Sequence, residues 1–180
     1  MSLATPGQTI GPFFGYALPY ERDNELVPPT CEGAVRLHGR VLDGHGKPIP
    51  DALVEIWQAD PQGRVVQVPS SLRRDGWTFS GFGRASTDAD GHYWFTTLSP
   101  ASTEPDRAAF FAVAVFARGL LDRLFTRAYL PEEALDADPL LASLPADRRR
   151  TLVLTPDPHG YVFDIRLQGA DETVFLRYRT

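Results

Sequence analysis

Residues 39–60 read GRVLDGHGKPIPDALVEIWQAD, and the spacing of their apolar and turn-forming residues sets the expected fold. The pattern begins just upstream. Over Ala34–Leu42, Val35, Leu37 and Val41 fall on one side of a period-two alternation, as in a half-buried strand. Asp43-Gly44-His45-Gly46-Lys47-Pro48 then combines residues that tolerate positive φ with one whose φ is fixed near a turn value, so the chain reverses there. Ala52–Gln58 resumes the alternation, with Leu53, Glu55 and Trp57 on one face and Val54 and Ile56 on the other. The two arms are expected to pair as a hairpin, with Trp57 the largest apolar group available to anchor it.

At 180 residues the chain is the size of one domain plus an arm, which we divide as an extended N-terminal arm over 1–33 and a domain over 34–180. Its start, MSLATPGQTIGPFF, has neither a basic leader nor a continuous apolar run, and no apolar stretch is long enough to span a bilayer. A soluble, unexported, cytoplasmic protein without a membrane partner is therefore expected. The lone Cys31 excludes an internal disulfide and cannot build a thiolate metal site, leaving it the role of a small apolar filler. The formal net charge of -5, with no basic run beyond Arg148-Arg149-Arg150, offers no footprint for nucleic acid. A small molecule or another protein fits the composition better.

In chain order, Pro6, Pro12, Pro19, Pro28 and Pro29 are too closely spaced for a helix in the arm. Ile10, Phe13, Phe14, Tyr16, Leu18 and Tyr20 make the arm too apolar for a solvated tail, so it is expected to lie buried against its own domain or a neighbour. Asp60–Gly63 reads as a tight turn and Arg64–Val68 as a short strand. Trp77, Phe79 and Phe82 sit in a loop of a kind that lines clefts. Thr87–Gly91 closes a second hairpin into an aromatic strand over His92–Thr97. Its Asp88-x-Asp90-Gly91 lacks the remaining carboxylates of a calcium loop and reads as a turn. Ala108–Ala117 is apolar enough for a central strand and Leu124–Leu130 for another; Pro131–Asp138 and Leu141–Arg149 carry the helix-like composition. Arg150–Leu154, Tyr161–Gly169 and Thr173–Tyr178 read as three more strands. The sum is a mainly β chain with little helix, a β-sandwich.

Gln8-Thr9-Ile10-Gly11-Pro12 in the arm, the Gly39-Arg40-Val41-Leu42-Asp43 strand, Leu53–Asp60 and Val162–Gly169 together resemble the intradiol ring-cleavage dioxygenases, over nearly the whole chain. The resemblance implies an intradiol dioxygenase-type β-sandwich. It also implies cleavage of a catechol between its hydroxyls with O2, both oxygen atoms entering the product, on a non-haem Fe(III) held by two Tyr and two His. Hard ferric iron suits phenolate oxygen, with imidazole filling the remaining positions. Those ligands are missing here. The two tyrosine positions fall near Ser71 and Thr103, and where the family has Arg-Pro-Ala-His-x-His this chain has Arg107-Ala108-Ala109-Phe110-Phe111-Ala112. His38, His45, His92 and His159 are scattered over different turns and strands with no pairwise ligand spacing.

One branch of the family, acting on protocatechuate, is built from two homologous chains of which only the β chain binds iron, and this sequence resembles the other, the α chain. The implied partners are a homologous iron-binding β subunit, which would hold the Fe(III), protocatechuate and O2; the implied product is 3-carboxy-cis,cis-muconate. No catalytic or metal-binding residue is expected in this chain. By motif match, Thr9, Gly11, Pro12 and Arg127 would face the substrate, Gly11 because a residue without Cβ lets backbone approach a ring closely, and Arg127 because its planar fork suits a carboxylate. Arg107 stands where the iron-binding chain keeps a catalytic arginine, and beside a dead pocket only a structural ion pair is expected of it. Two readings of other classes remain at this point. One is a transthyretin-like binding or scaffold module with no catalytic partner; the other, a self-sufficient iron dioxygenase, is opposed by the missing ligands.

Overall fold

The computed structural model describes residue 11 and residues 13–68, 74–131 and 133–178. Among these, nine strands form two sheets, packed as a sandwich. One sheet orders β4 (His92–Leu98), β1 (Ala34–Leu42), β8 (Gly160–Val162) and β7 (Thr155–Asp157), with β9 (Ile165–Arg166) continuing along β1. The other orders β3 (Phe82–Ser86), β2 (Leu53–Trp57), β5 (Phe110–Phe116) and β6 (Leu124–Tyr129).

The strands fall where the alternation puts them, but neither expected hairpin forms. β1 runs antiparallel to β4, from Ala34 opposite Leu98 to Arg40 opposite His92, while β2 lies in the other sheet between β3 and β5. The turn itself is as its residues dictate: Gly46 N–H donates to the Asp43 carbonyl, and the Asp43 carboxylate accepts from the amides of His45 and Lys47. Pairing then stops at a single bridge between Leu42 and Pro48, because Pro48 and Pro50 have no N–H to extend a ladder. The chain crosses to the opposite sheet instead. The Thr87–Gly91 turn repeats this. Asp88 accepts from the amides of Asp90 and His92, and β3 and β4 diverge into separate sheets.

The core lies between the sheets. Leu37, Val41, Tyr93 and Phe95 from one side meet Val54, Ile56, Phe111, Val113 and Val115 from the other. Trp57 is not the anchor. It lies on the face of β2 turned away from the core and is 48% exposed, so Tyr93, Phe95 and Phe111 fill the anchoring role. At Gly39, on the inward side of β1, a Cβ would collide with the Phe163 carbonyl; the absence of a side chain lets the C-terminal segment close on β1. The Tyr93 hydroxyl, fully buried, donates to that same carbonyl at 2.6 Å.

Other expectations fail at prolines and short segments. The helix-like region breaks into a 3₁₀ turn at Glu133–Asp136, α2 (Pro139–Ala142) and α3 (Ala146–Arg149), divided by Pro139 and Pro145. Arg150–Leu152 is a 3₁₀ turn rather than a strand, and Tyr161–Gly169 splits into β8 and β9. Arg64–Val68 and Thr173–Tyr178 contribute only single bridges, Val65 with Ala59 and Leu176 with Phe125. In the described part of the arm, one helical turn, α1 (Phe14–Ala17), precedes a run of turns and bends, not the extended chain expected, in which Leu26 and Val27 are buried and Glu25 bridges to Thr96 on β4. Phe13 and Tyr16 stay outside, 73% and 88% exposed.

Replacing Tyr93 with Phe strands the Phe163 carbonyl in the core without a donor. The expected loss is about 1–3 kcal/mol of stability, read from urea denaturation.

Candidate functional site

On the outer face of the β3-β2-β5-β6 sheet, pairing sets Trp57, Ala112 and Arg127 in one row and Phe110 beside Tyr129 in the next. A cavity of about 200 Å³ opens over these rows, lined by Trp57, Ala59, Val65, Thr103, Phe110 and Ala112 among others. Thr103, Phe110 and Ala112, three of the four positions matched by resemblance to iron ligands, thus line one hollow; Ser71 lies outside the described residues. A phenyl ring, a methyl and a hydroxyl supply no imidazole, phenolate or carboxylate, so the donor set does not fit ferric iron. A second hollow of about 490 Å³ on the same face, lined by Glu55, Phe116, Phe125 and Tyr178, shares Trp57 and Ala112 with the first. The two hollows adjoin at Trp57 and Ala112.

Arg127 stands at the edge of this face. Its guanidinium carbon lies 4.1 Å from the centroid of the Phe110 ring, and its Nη1 donates to the Tyr129 hydroxyl at 3.1 Å. Among the side chains that the structure describes, which exclude Glu132 and Glu133, no carboxylate forms an ion pair with it. Gly11 has φ of +78° and is partly buried, and a Cβ there would meet nothing within 4 Å. In this chain it is the positive φ, not crowding, that calls for glycine. Thr9 and Pro12, the other two residues expected at the substrate, lie outside the described residues. Arg107 pairs with Glu104 at 3.4 Å near the surface.

Two clusters escaped the sequence reading. The first pins the arm. Arg84 holds Glu55 through Nε and Nη2 at 2.9 and 2.6 Å, and its Nη1 donates to the Leu18 carbonyl at 2.5 Å. Arg74 donates to the Tyr20 hydroxyl, the Asp23 carbonyl and the Phe82 carbonyl. Both guanidinium groups lie 5.7 Å from the Tyr20 ring. Burial pushes the Tyr20 phenol above its ordinary range despite the nearby cation of Arg74. These residues come from the arm, β2, β3 and a loop, so no local spacing announces them.

The second cluster corrects the picture of scattered histidines. The β1–β4 register sets His38 diagonally across from His92 with ring centroids 5.7 Å apart, and His38 Nε2 lies 2.9 Å from Asp157 Oδ2. Burial holds the His92 imidazole below its usual range against the pull of Asp88. Among the described residues, no group of three or more His, Cys, Asp or Glu side chains is arranged to hold a metal ion.

Comparison with known proteins places this geometry. A family model described as Dioxygenase matches residues 10–169. The protocatechuate 3,4-dioxygenase alpha chain of Burkholderia cepacia is 39% identical over 96% of both chains. The beta chain from the same organism is 37% identical over 77% of this chain and 66% of its own length. Among solved structures, the dioxygenase domain of a dioxygenase–carbohydrate-binding fusion from Streptomyces sp. SirexAA-E superposes with a TM-score of 0.62 at 27% identity, covering 92% of this chain and 99% of that one.

Glu55 and Arg84 are only 16% and 11% exposed, so removing one leaves the other charged and desolvated. Arg84→Met should cost about 2–4 kcal/mol in chemical denaturation, and adding Glu55→Leu should recover most of it.

Proposed function

The chain belongs to the intradiol dioxygenase family, and from that premise we propose that it is the α subunit of a protocatechuate 3,4-dioxygenase, completing a site whose iron is bound by a homologous β subunit. The carrying observation is the cavity at Thr103, Phe110 and Ala112. It lies at positions matched by resemblance to the family's ligands and is lined by side chains that cannot serve as that set, in a chain 39% identical over 96% of its length to an alpha chain. The beta chain of the relative is itself homologous to this chain, which supports a pairing of like folds. The family is iron-dependent, and the Fe(III) of the partner would supply activation of the catechol toward O2.

The work left to this chain is binding and enclosure. Arg127, charged and without a carboxylate partner among the described side chains, suits the carboxylate of protocatechuate. The arm, with Thr9, Gly11 and Pro12, would form part of the pocket wall and of the subunit interface; the exposed Phe13 and Tyr16 support a role against a neighbour. The two hollows beside the exposed Trp57 likewise offer area for a partner to cover. No helix among the described residues is long and apolar enough to cross a membrane, which is compatible with a cytoplasmic enzyme.

Purification of this chain alone and with its homologous partner tests the reading through iron content and visible absorption. Alone, it should be colourless and inactive. With the partner, iron and a tyrosinate-to-iron band should appear and protocatechuate should yield 3-carboxy-cis,cis-muconate. Stoichiometric iron in the isolated chain, or no iron in either preparation, would overturn it. In the assembled enzyme, Gly11→Val should raise KM for protocatechuate by about 3- to 10-fold with iron content unchanged; unaltered kinetics would remove the arm from the site.

A further inference from the structure

The surroundings of Arg127 are more elaborate than a surface arginine requires. Its guanidinium stacks on Phe110 at 4.1 Å and donates through Nη1 to the Tyr129 hydroxyl, and Tyr129 is itself fully buried. Tyr129 in turn donates to Asp138 Oδ1 at 3.4 Å, and its ring packs against Phe110 with centroids 5.4 Å apart. Asp138 is fully buried as well. Its Oδ1 takes the Tyr129 hydroxyl and the amides of Leu140 and Leu141, while Oδ2 has no partner among the described residues.

A buried carboxylate is expensive, and capping does not account for it. The helix that Asp138 caps is a single turn, and a neutral Ser or Asn would accept the same amides with far less desolvation. What the negative charge adds is a line of polarised bonds, from carboxylate through phenol to guanidinium, running in a poorly solvated layer where electrostatic coupling is strong. Phe110 closes the arrangement from below, offering the negative face of its ring to the cation. The side chain standing at a lost metal-ligand position has become a shelf for an arginine. Held at Nη1 and from beneath, the guanidinium keeps Nε and Nη2 unclaimed by any described residue.

We propose that Tyr129, Asp138 and Phe110 are positioning residues that fix the Arg127 fork to receive the carboxylate of the aromatic substrate. This rests on the reading of Arg127 as the carboxylate-binding residue. The geometry then makes them determinants of specificity, distinguishing a catechol that carries a carboxylate from one that does not. A preset fork loses less side-chain entropy on binding than a mobile one, so the benefit appears in substrate affinity rather than in turnover.

The test is steady-state kinetics of the assembled two-chain enzyme on 3,4-dihydroxybenzoate and on catechol, with melting temperatures recorded for each variant. Tyr129→Phe should raise KM for 3,4-dihydroxybenzoate by about tenfold, the scale of one charge-assisted hydrogen bond, with kcat held within about twofold and catechol unaffected. Asp138→Asn, which keeps an oxygen for the amides, should do the same to a smaller extent. Phe110→Leu should raise KM selectively, and Phe110→Tyr, which retains the ring face, should restore it; this pair carries the test if the Tyr129 or Asp138 variants fold poorly. Arg127→Lys separates the two levels. If it leaves KM for 3,4-dihydroxybenzoate unchanged, the carboxylate-binding reading fails and the positioning proposal with it. If Arg127→Lys raises KM but the Tyr129 and Phe110 variants do not, or if they affect both substrates equally along with a lowered melting temperature, the positioning proposal alone is overturned.

Discussion

A hydrogen bond of 2.6 Å from the Tyr93 hydroxyl to the Phe163 carbonyl, made deep between the sheets, joins the last third of the chain to the strand pair β1–β4. It is possible because Gly39 presents no Cβ to that carbonyl. Once the 163 backbone is seated there, β8 and β9 fall parallel to β1, and β7 follows on the edge. β8 and β9 each pair with β1 over only two or three residues, and this docking anchors the chain between those two short ladders.

Much of the strand map was legible because it depends on a local property, the period of apolar residues. Ala34–Leu42 and Leu53–Trp57 alternate as the residues require, and Phe111, Val113 and Val115 turn inward on a central strand. Which strands pair is a different quantity. The Asp43 and Asp88 turns are specified by their own side chains, but nothing in a turn says whether the next strand returns to the same sheet or crosses the core. Proline decided it at 48 and 50 by withholding donors. The size of Trp57 misled for a related reason: its phase on β2 places it opposite Val54 and Ile56, so alternation overrides hydrophobicity.

At the site, motif matching placed Thr103, Phe110 and Ala112, and the fold gathers them into one cavity. It also singled out Arg127. It could not find the supports of that residue, because Asp138 reads in sequence as an ordinary residue before a proline, and its tie to Tyr129 arises only when the helical turn folds over β6. The clamp of Tyr20 between Arg74 and Arg84 was equally hidden, since its members meet only through tertiary packing.

Positions 110 and 112 lie on the outer face of β5, in phase with neither Phe111 nor the rest of the interior. The packing between the sheets and the lining of the cavity are therefore written into opposite sides of one strand. A chain of this architecture can exchange the side chains lining that cavity while every residue that holds the sheets together stays as it was. Duplication followed by divergence then needs no compensating change in the core: one copy can give up its chemistry and become a wall for the other without passing through a sequence that fails to fold.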